Sequence, residues 1–339
     1  MRLQILILLH ALILPGFHQA VMPQEAMPVK ACQVGSAQYS YRLRGEVRLL
    51  LLWFGRNNVG GGHIGFSRNQ GSSESTWNEE IEVLFGSDPE RIPNRINRWG
   101  YGRETSQWIQ EARNPVPRLV ESEFQGIMRH STESSLDEAL DETRQANDSG
   151  RFLYDSILSR VMPASSSSEI RLLVQNEDFS YRHPERLLGN YREALLKTPP
   201  KKSRRLVNAP GIYGAPYGLL TGILRLIHQI CETGSHPSLP YVYNSNLYTL
   251  NVLGTEPVKE SRLRDDWKSR GAQQVSHIRF RSWNVEKKKR TDFELWVPRS
   301  GLLQGVPLRI LYQPRWWLRL QLDLDPGESR IGDSSLLWH

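Results

Sequence analysis

The residues best suited to chemistry in this chain are Gly60, Gly61, Gly62 and His63, which follow one another directly. Three consecutive glycines let a ligand approach the main chain closely, and a histidine can act as an acid or a base near neutral pH. The same run is typical of a glycine-rich hairpin loop with an incidental histidine, and this simpler interpretation is favoured. The four residues are therefore weak candidates for a ligand-binding site.

A catalytic role for His63 would need partners from elsewhere in the chain, and Arg98 and Asp88 are the residues considered for it. Convergence of these three side chains in one cleft would favour a hydrolase or transferase, because a fold can bring together residues that are distant in sequence. The sequence contains none of the common nucleophile, zinc-binding or phosphate-binding motifs. Catalytic residues are therefore not assigned, no metal or cofactor is expected, and the sequence favours a protein that is not an enzyme.

Arginine and tryptophan occur side by side in two places, at Arg98-Trp99 and in the run Arg315-Trp316-Trp317. Trp316 falls in phase with the apolar residues around it and is expected in the core. Trp317 falls among polar residues, where it could stack on a ligand or rest in a membrane interface. The alternative is that a helical part of the chain covers that face. Arg98, Trp99, Arg315 and Trp317 complete the set of weak ligand-binding candidates.

The fold is best indicated by residues 307–325, where every even position from Leu308 to Leu324 is apolar and most odd positions are polar. Alternation with period two predicts a strand with one face on a core and the other in water. Shorter stretches of the same kind occur at 39–53, 277–285 and 291–297, the last two on either side of a charged hairpin tip at 286–290. The first of these is expected to turn back at 57–62, so the sequence predicts a sheet rich in hairpins.

The middle of the chain has a different pattern, which predicts helices. Val120, Phe124, Ile127 and Met128 recur at helical spacing, and residues 219–231 are apolar nearly all round, as in a buried helix. The expected fold class is therefore α+β. It consists of a large twisted antiparallel sheet, which can curl into a partial barrel, with a helical insertion.

The sequence divides into five predicted segments. Residues 1–20 are expected to be a signal peptide, 33–115 an N-terminal β region and 116–236 the helical insertion. Residues 237–326 are expected to form a C-terminal β region that pairs with the first, and 327–339 a tail.

Export is predicted from the N-terminus, where Arg2 precedes a short apolar run that ends at a Pro-Gly pair. The run is shorter than the ~20 residues that a membrane-spanning helix needs. Cleavage is expected after Ala20. Cleavage after Ala31 is the alternative, and it would leave Cys32 at the mature N-terminus, where it could carry a lipid.

The two cysteines bear on whether the protein contains a disulfide, and the net charge bears on which kinds of partner it could bind. Cys32 and Cys231 could form one disulfide in an oxidising compartment, or they could be two unrelated thiols. The net charge of +7 over 339 residues is modest and does not indicate nucleic acid. Basic exported proteins often meet anionic envelope surfaces, so peripheral membrane contact stays open, with a solvated surface of mixed charge as the alternative.

Several short segments carry a likeness that extends over nearly all of the mature chain: residues 54–62, 86–93, 96–100, 150–154, 241–244 and 305–325. Together they resemble an uncharacterised group of exported bacterial proteins. That group has no assigned activity, so the resemblance implies export and a single inherited architecture, and it implies no function. The closing β region also resembles, in its pattern alone, exported proteins whose curved antiparallel sheet holds a hydrophobic ligand.

The leading functional hypothesis is an exported, non-enzymatic protein that binds a lipid or another hydrophobic molecule of the cell envelope. A curved sheet can enclose an apolar pocket, and the even-numbered residues of the closing strand are expected to line it. The alternatives are an envelope hydrolase or transferase with a dispersed site around His63, and a structural partner of another envelope protein. The last of these should expose a broad apolar patch. The oligomeric state is left open.

Overall fold

The structure, a computed structural model, describes residues 35–49, 52–73, 75–92, 97–111, 117–130, 136–163, 165–179, 191, 197–207, 217–234, 238–284, 286–315 and 317–330. The predicted signal peptide, both predicted cleavage sites and Cys32 lie outside these residues, as does Trp316.

A single antiparallel sheet of 14 strands makes up most of the described chain. In chain order the strands are β1 (Gly35–Leu49), β2 (Leu52–Gln70), β3 (Thr76–Ser87), β4 (Trp99–Ile109), β5 (Arg118–Arg129), β6 (Phe152–Met162), β7 (Ser165–Gln175), β8 (Lys202–Val207), β9 (Ser238–Tyr243), β10 (Asn246–Pro257), β11 (Gln273–Asn284), β12 (Lys289–Ser300), β13 (Arg309–Arg315) and β14 (Leu318–Arg330). Strands that are neighbours in sequence are neighbours in the sheet, except for β8 and β9, and β1 joins the two halves by pairing with both β2 and β14. The strands β8 and β9 form its edges.

Helices occupy the remaining regular structure, as α1 (Leu136–Ser149), α2 (Leu219–Thr233) and α3 (Asp265–Ser269), with a short 3₁₀ turn at Glu260–Arg262. Gly234 ends α2 in the left-handed conformation, with φ of 65°. This glycine is at the position where a helix most often needs that conformation, so the end of α2 is as the sequence indicates. In the part of the chain that the structure describes, no helix is long and apolar enough to span a membrane.

The sheet curves around α2. This helix packs against β4, β9 and β12, although β3, β2, β1, β14 and β13 lie between β4 and β12 in the sheet. The curvature also brings the two edges of the sheet together. Arg204 of β8 donates to the side chain of Asn246, the first residue of β10 and the partner of Tyr243 in β9, with Nη1 and Oδ1 2.7 Å apart. The fold is thus an open, barrel-like antiparallel sheet with a helix on its concave side, which confirms the predicted fold class.

The C-terminal alternation is carried by two strands, β13 and β14, and not by the single strand that the sequence predicts. Across this hairpin Ile310 lies opposite Leu322, and Tyr312 lies opposite Leu320. Even-numbered residues therefore pair with even-numbered residues as far as Tyr312, beyond which the register shifts and Arg315 pairs with Leu318 beside the turn. The alternation indicates which face of the sheet each residue occupies, but it does not indicate where the chain reverses direction.

The turn predicted at 57–62 is wrong, because these residues lie inside β2. The chain reverses earlier, where Leu49 pairs with Leu52. At the predicted turn, the register between β1 and β2 shifts after Leu43, and Asn58 has φ of 55°. These are features of a β-bulge, in which extra residues on one strand bend it without ending it. The asparagine and glycine signals therefore marked a bulge and not a turn.

The predicted helical insertion, 116–236, also needs correction, because it carries β5 to β8 besides α1 and α2. Phe124 and Ile127 suggested a helix by their spacing, yet both lie in β5. Phe124 belongs to the main core on the concave side, whereas Ile127 belongs to a second cluster with Trp99 and Tyr154. Both faces of β5 are covered, so apolar residues of opposite parity imitate a helical period.

Candidate ligand-binding cavity

A cavity of about 670 Å³ lies between the concave face of the sheet and α2. Its described walls come mainly from the central strands β1 to β4, from β12 to β14 and from α2, and they are overwhelmingly apolar. The volume falls within the range of about 300 to 1,000 Å³ that is usual for small-molecule sites.

The even-numbered residues of the C-terminal hairpin form one wall of the cavity, as the alternation predicts. These are Ile310, Tyr312, Pro314, Leu318, Leu320 and Leu322. The odd-numbered residues of β1 form the wall beside it, because β1 pairs directly with β14; they are Tyr39, Tyr41, Leu43, Gly45 and Val47.

The helix α2 supplies the opposite wall. Leu220, Ile223 and Leu224 recur at the spacing that places side chains on one helix face, and all three line the cavity. They are only partly buried, whereas Leu226 and Ile230, which do not line it, are completely buried in the core. The apolar residues of α2 that remain partly accessible thus all line the cavity, and the buried Leu219 and Ile227 line it as well.

Tyrosines add polar atoms to the apolar walls. Tyr41 donates its hydroxyl to the carbonyl of Pro307 at 2.8 Å, and burial raises the pKa of its phenol well above the usual range. Burial also raises the pKa of Tyr39 to about 12, and within the described structure its buried hydroxyl has no hydrogen-bond partner. These phenols therefore stay neutral at physiological pH.

The charged residues among the described walls of the cavity are all arginines: Arg56, Arg98 and Arg315. Arg98 forms an ion pair with Glu142 of α1, with Nη2 and Oε2 3.3 Å apart. Arg56 is exposed and has neither an ion-pair nor a hydrogen-bond partner among the described residues. The described walls contain no acidic residue, so the cavity has a positive bias.

The eight weak candidates from the sequence divide into two groups. Arg98, Trp99, Arg315 and Trp317 border the cavity. Trp317 is buried, because the turn between β13 and β14 directs this out-of-phase residue inward. The described walls do not include Gly60, Gly61, Gly62 or His63. A ligand role for any of the eight stays a prediction.

Gly60 and Gly62 have a structural task in β2. A Cβ atom built on Gly60 would lie 2.0 Å from the carbonyl oxygen of Gly86, and one on Gly62 would lie 1.9 Å from that of Leu84. Side chains at these positions would collide with the main chain of β3. The glycine run therefore permits two strands to approach closely, which is one of the standard reasons for glycine within a strand.

The structure does not pair His63 with Arg98 or Asp88. His63 instead contacts Glu82, with Nε2 and Oε1 2.8 Å apart, and the other oxygen of that carboxylate accepts the Tyr101 hydroxyl at 3.0 Å. Asp88 forms an ion pair with Arg91 at 3.2 Å. The arrangement around His63 is a hydrogen-bonded pair on the sheet.

Buried acids fix the position of α2. Glu104 of β4 accepts the main-chain N–H groups of Leu220 and Thr221 at 2.8 and 3.0 Å. Further along the helix, Arg225 contacts Glu79, which also binds the buried Arg68 with Nη2 and Oε1 2.5 Å apart. These contacts were not predicted, because the residues involved are distant in sequence. The one available signal was Arg225, which interrupts an apolar helix.

The described residues offer few side chains suited to metal binding or redox chemistry. They contain no cluster of three or more histidine, cysteine, aspartate or glutamate side chains suited to a metal ion. Cys231 is a buried residue of α2, and burial raises the pKa of its thiol to about 11. The predicted bridge to Cys32 involves a residue outside the described chain and stays a prediction.

Comparisons with known proteins return little. No protein-family model matches the chain, and no curated protein matches it. Among solved structures, the chain is similar to a protein from Brucella abortus described as a beta-barrel-like protein of the domain of unknown function DUF1849. The two share 9% sequence identity with a TM-score of 0.40, and the match covers 90% of this chain and 100% of the other. A likeness of this size carries no argument about function.

Proposed function

We propose that this protein binds an elongated apolar molecule, such as the hydrocarbon chain of a lipid, and acts as a non-enzymatic binding protein. The observation that carries this proposal is the cavity of about 670 Å³ with apolar walls on both the sheet and α2. Apolar walls in contact with water are unfavourable by about 25 cal/mol for each Å² that a ligand could cover. An apolar ligand would therefore gain affinity by covering the walls.

The exposure pattern of α2 supports the same function. Leu220, Ile223 and Leu224 pack against the main core with part of their surface, and they line the cavity with the part that stays accessible. A helix that served only to fill the curve of the sheet would bury these three side chains as fully as Leu226 and Ile230. Incomplete filling at this one face is what a ligand site requires.

The test is binding of a neutral, apolar fluorescent probe, N-phenyl-1-naphthylamine, to the purified protein after extraction of co-purified lipid. Ile223→Trp places a larger side chain in the cavity and should weaken probe binding at least tenfold while circular dichroism stays unchanged. The matched control is Leu302→Trp, at a side chain that is 53% exposed and outside the cavity walls. Equal binding by both variants would place the probe elsewhere and contradict the proposal.

We also propose that the protein is exported and works in a bacterial envelope. The support is the signal-like order of residues 1–20 and the resemblance to an exported group, both of which are properties of the sequence. Mass spectrometry of protein from the exported fraction tests this. Cleavage after Ala20 and a lipid on Cys32 give different masses, and an uncleaved chain retained in the cytoplasm would contradict export.

The two alternative functions receive less support from the geometry. A site around His63 would need partners, and His63, Arg98 and Asp88 each contact a different residue. A structural partner of another protein would expose a broad apolar patch. The large exposed apolar residues of the described chain are Phe54, Leu153, Met162, Val174, Leu253 and Leu302. Of these, only Leu153 and Val174 pair across strands, so the exposed surface is scattered.

A further inference from the structure

We propose that the ligand is an anionic amphiphile, whose hydrocarbon chain lies in the cavity and whose carboxylate or phosphate group is bound by Arg56 and Arg315. This inference rests on the proposed function, because it assumes that the cavity binds an apolar chain. The two arginines and the apolar cavity together carry it.

The sign of the charge is the first step. Each charged residue in the described walls is an arginine, although the chain as a whole has 36 acidic residues beside 43 basic ones. A neutral ligand would gain nothing from cations on the cavity walls, and a cationic amphiphile would be repelled by them. The walls as described thus favour a negative group.

The position of the two arginines is the second step. Arg56 lies opposite Gly45 of β1, and Gly45 lies opposite Leu320 of β14, which lies opposite Tyr312 of β13. These four residues form a row across the cavity wall, near the end of the sheet where the β1–β2 and β13–β14 hairpins turn. Arg315 follows Tyr312 along β13, at the same end. The two arginines therefore flank one end of the cavity on opposite sides.

Space between the two arginines is the third step. Gly45 lies opposite Arg56 and has no side chain, so β1 itself places nothing at this point, and the nearest atom to a Cβ built there is Cγ2 of Val59, at 3.3 Å. Arg56 is exposed and is bonded to no other described residue, so its guanidinium can turn toward a ligand without breaking an existing ion pair. Arginine binds carboxylate and phosphate groups through two parallel hydrogen bonds, which suits both candidate head groups.

Arg98 is the third arginine of the walls, and its geometry assigns it a different task. Its guanidinium contacts Glu142 at 3.3 Å, so its charge is already balanced by a helix that covers the second cluster. We therefore leave it out of the proposed head-group site.

The experiment is displacement of N-phenyl-1-naphthylamine by four amphiphiles with the same tetradecyl chain, each used below the concentration at which it forms micelles. They are the carboxylic acid, the monoalkyl phosphate, the alcohol and the trimethylammonium salt. Inorganic phosphate alone is the fifth competitor. The proposal expects the acid, the phosphate ester or both to bind at least tenfold more tightly than the alcohol. It expects inorganic phosphate to displace nothing, because the chain provides most of the affinity.

The variants assign the preference to residues. Arg56→Gln combined with Arg315→Gln should weaken binding of the anionic amphiphiles at least tenfold and leave the alcohol unchanged. Arg56→Lys should retain most of the preference, because it keeps the charge. The matched control is Arg118→Gln combined with Arg144→Gln, which removes the same charge at exposed arginines outside the cavity walls. This control should leave every affinity unchanged.

The outcomes separate this inference from the proposed function. If the alcohol binds as tightly as the anions, or if the double variant keeps the preference, the head-group site is wrong and the apolar cavity site stands. If none of the tetradecyl compounds displaces the probe and Ile223→Trp has no effect on it, the proposed function fails and this inference fails with it.

Discussion

The carboxylate of Glu104 caps the N-terminus of α2 through the main-chain N–H of Thr221, with Oε1 and the nitrogen 3.0 Å apart. The capping position itself is occupied by Gly218, which has no side chain that could accept a hydrogen bond. A residue on β4 therefore performs the function that a capping side chain usually has. Burial raises the pKa of Glu104, while its bonds to the helix and to the hydroxyls of Thr221 and Ser122 oppose that rise. The pair thereby joins the cavity wall on α2 to the sheet.

Replacement of Glu104 by glutamine should therefore destabilise the protein. Glu104 now accepts hydrogen bonds from two main-chain N–H groups, one at each carboxylate oxygen. In glutamine, an NH₂ group replaces one of these oxygens, so one buried main-chain N–H would lose its acceptor. We expect the free energy of unfolding to fall by about 2 to 3 kcal/mol in urea denaturation followed by circular dichroism. Glu256→Gln, at an exposed acid paired with Arg279, is the control and should cost less than about 0.5 kcal/mol. Equal stability of the two variants would contradict the capping role.

Gly62 should tolerate no side chain, whereas Gly65 in the same strand should. A Cβ on Gly62 would lie 1.9 Å from the carbonyl oxygen of Leu84, and the nearest atom to one on Gly65 is 3.6 Å away. Gly62→Ala should therefore lower the free energy of unfolding by about 3 kcal/mol, since β2 and β3 would have to separate. Gly65→Ala should stay within about 1 kcal/mol of the unchanged protein. A mild effect of Gly62→Ala would contradict the close approach of β2 and β3 at this position.

The sheet could be predicted from the sequence because each residue type follows the face that it occupies. Ile310 and Leu322 alternate correctly although they lie on different strands, since the hairpin pairs these two even-numbered residues with each other. The buried helix α2 was also predicted, from its apolar composition and from Gly234. The errors arose where both faces of a strand are covered, as at Phe124 and Ile127, and where a bulge uses the residues of a turn, as at Asn58.

The cavity itself could be predicted only as a general expectation. Its walls combine β1, β14 and α2, and the sheet brings them together by curving through strands that no local pattern specifies. Arg56 gave no signal, because an arginine in a strand of mixed polarity is normally a solvated residue. Its relation to Arg315 depends on the register of β2, β1, β14 and β13 taken together. Local periodicity in the sequence indicates which face of a strand each residue occupies. The site depends instead on the register between strands and on the curvature of the sheet.

Glu79 should be essential for stability, because it lies between Arg68 and Arg225. Both Arg68 and Glu79 are almost completely buried, and Trp77 donates its indole N–H to the same carboxylate at 3.3 Å. Glu79→Gln would leave the buried guanidinium of Arg68 without its carboxylate. Breaking one side of a buried ion pair costs about 3 to 5 kcal/mol, so we expect a loss of this size in the free energy of unfolding.

The control for Glu79 is Glu111→Gln, which breaks the exposed pair with Arg118. Exposed ion pairs contribute about 0 to 1 kcal/mol, so this variant should unfold at nearly the same urea concentration as the unchanged protein. If Glu79→Gln were as mild as its control, the ion network would not be what holds Arg225 and α2 to the sheet.

His63 should control the titration of Glu82. Its hydrogen bond is the largest influence that lowers the pKa of this carboxyl, with Tyr101 adding to the effect and burial opposing it. A carboxyl with a lowered folded pKa stabilises the protein above its unfolded pKa of about 4.3, and that contribution is lost as the pH falls through the folded value. In His63→Gln the pKa of Glu82 should rise, as measured by carbon-13 NMR of the labelled carboxyl group.

The matched control for His63 is His277→Gln, which removes a similar contact between a histidine and Glu294 on β11 and β12, at 2.8 Å. It should leave the titration of Glu82 unchanged. The stability difference between His63→Gln and the unchanged protein should shrink as the pH falls through the folded pKa of Glu82, since a protonated carboxyl no longer gains from the contact. An unshifted Glu82 in His63→Gln would show that burial, Tyr101 and Arg103 set its pKa without His63, and the pair would then have no part in the stability of the protein in acid.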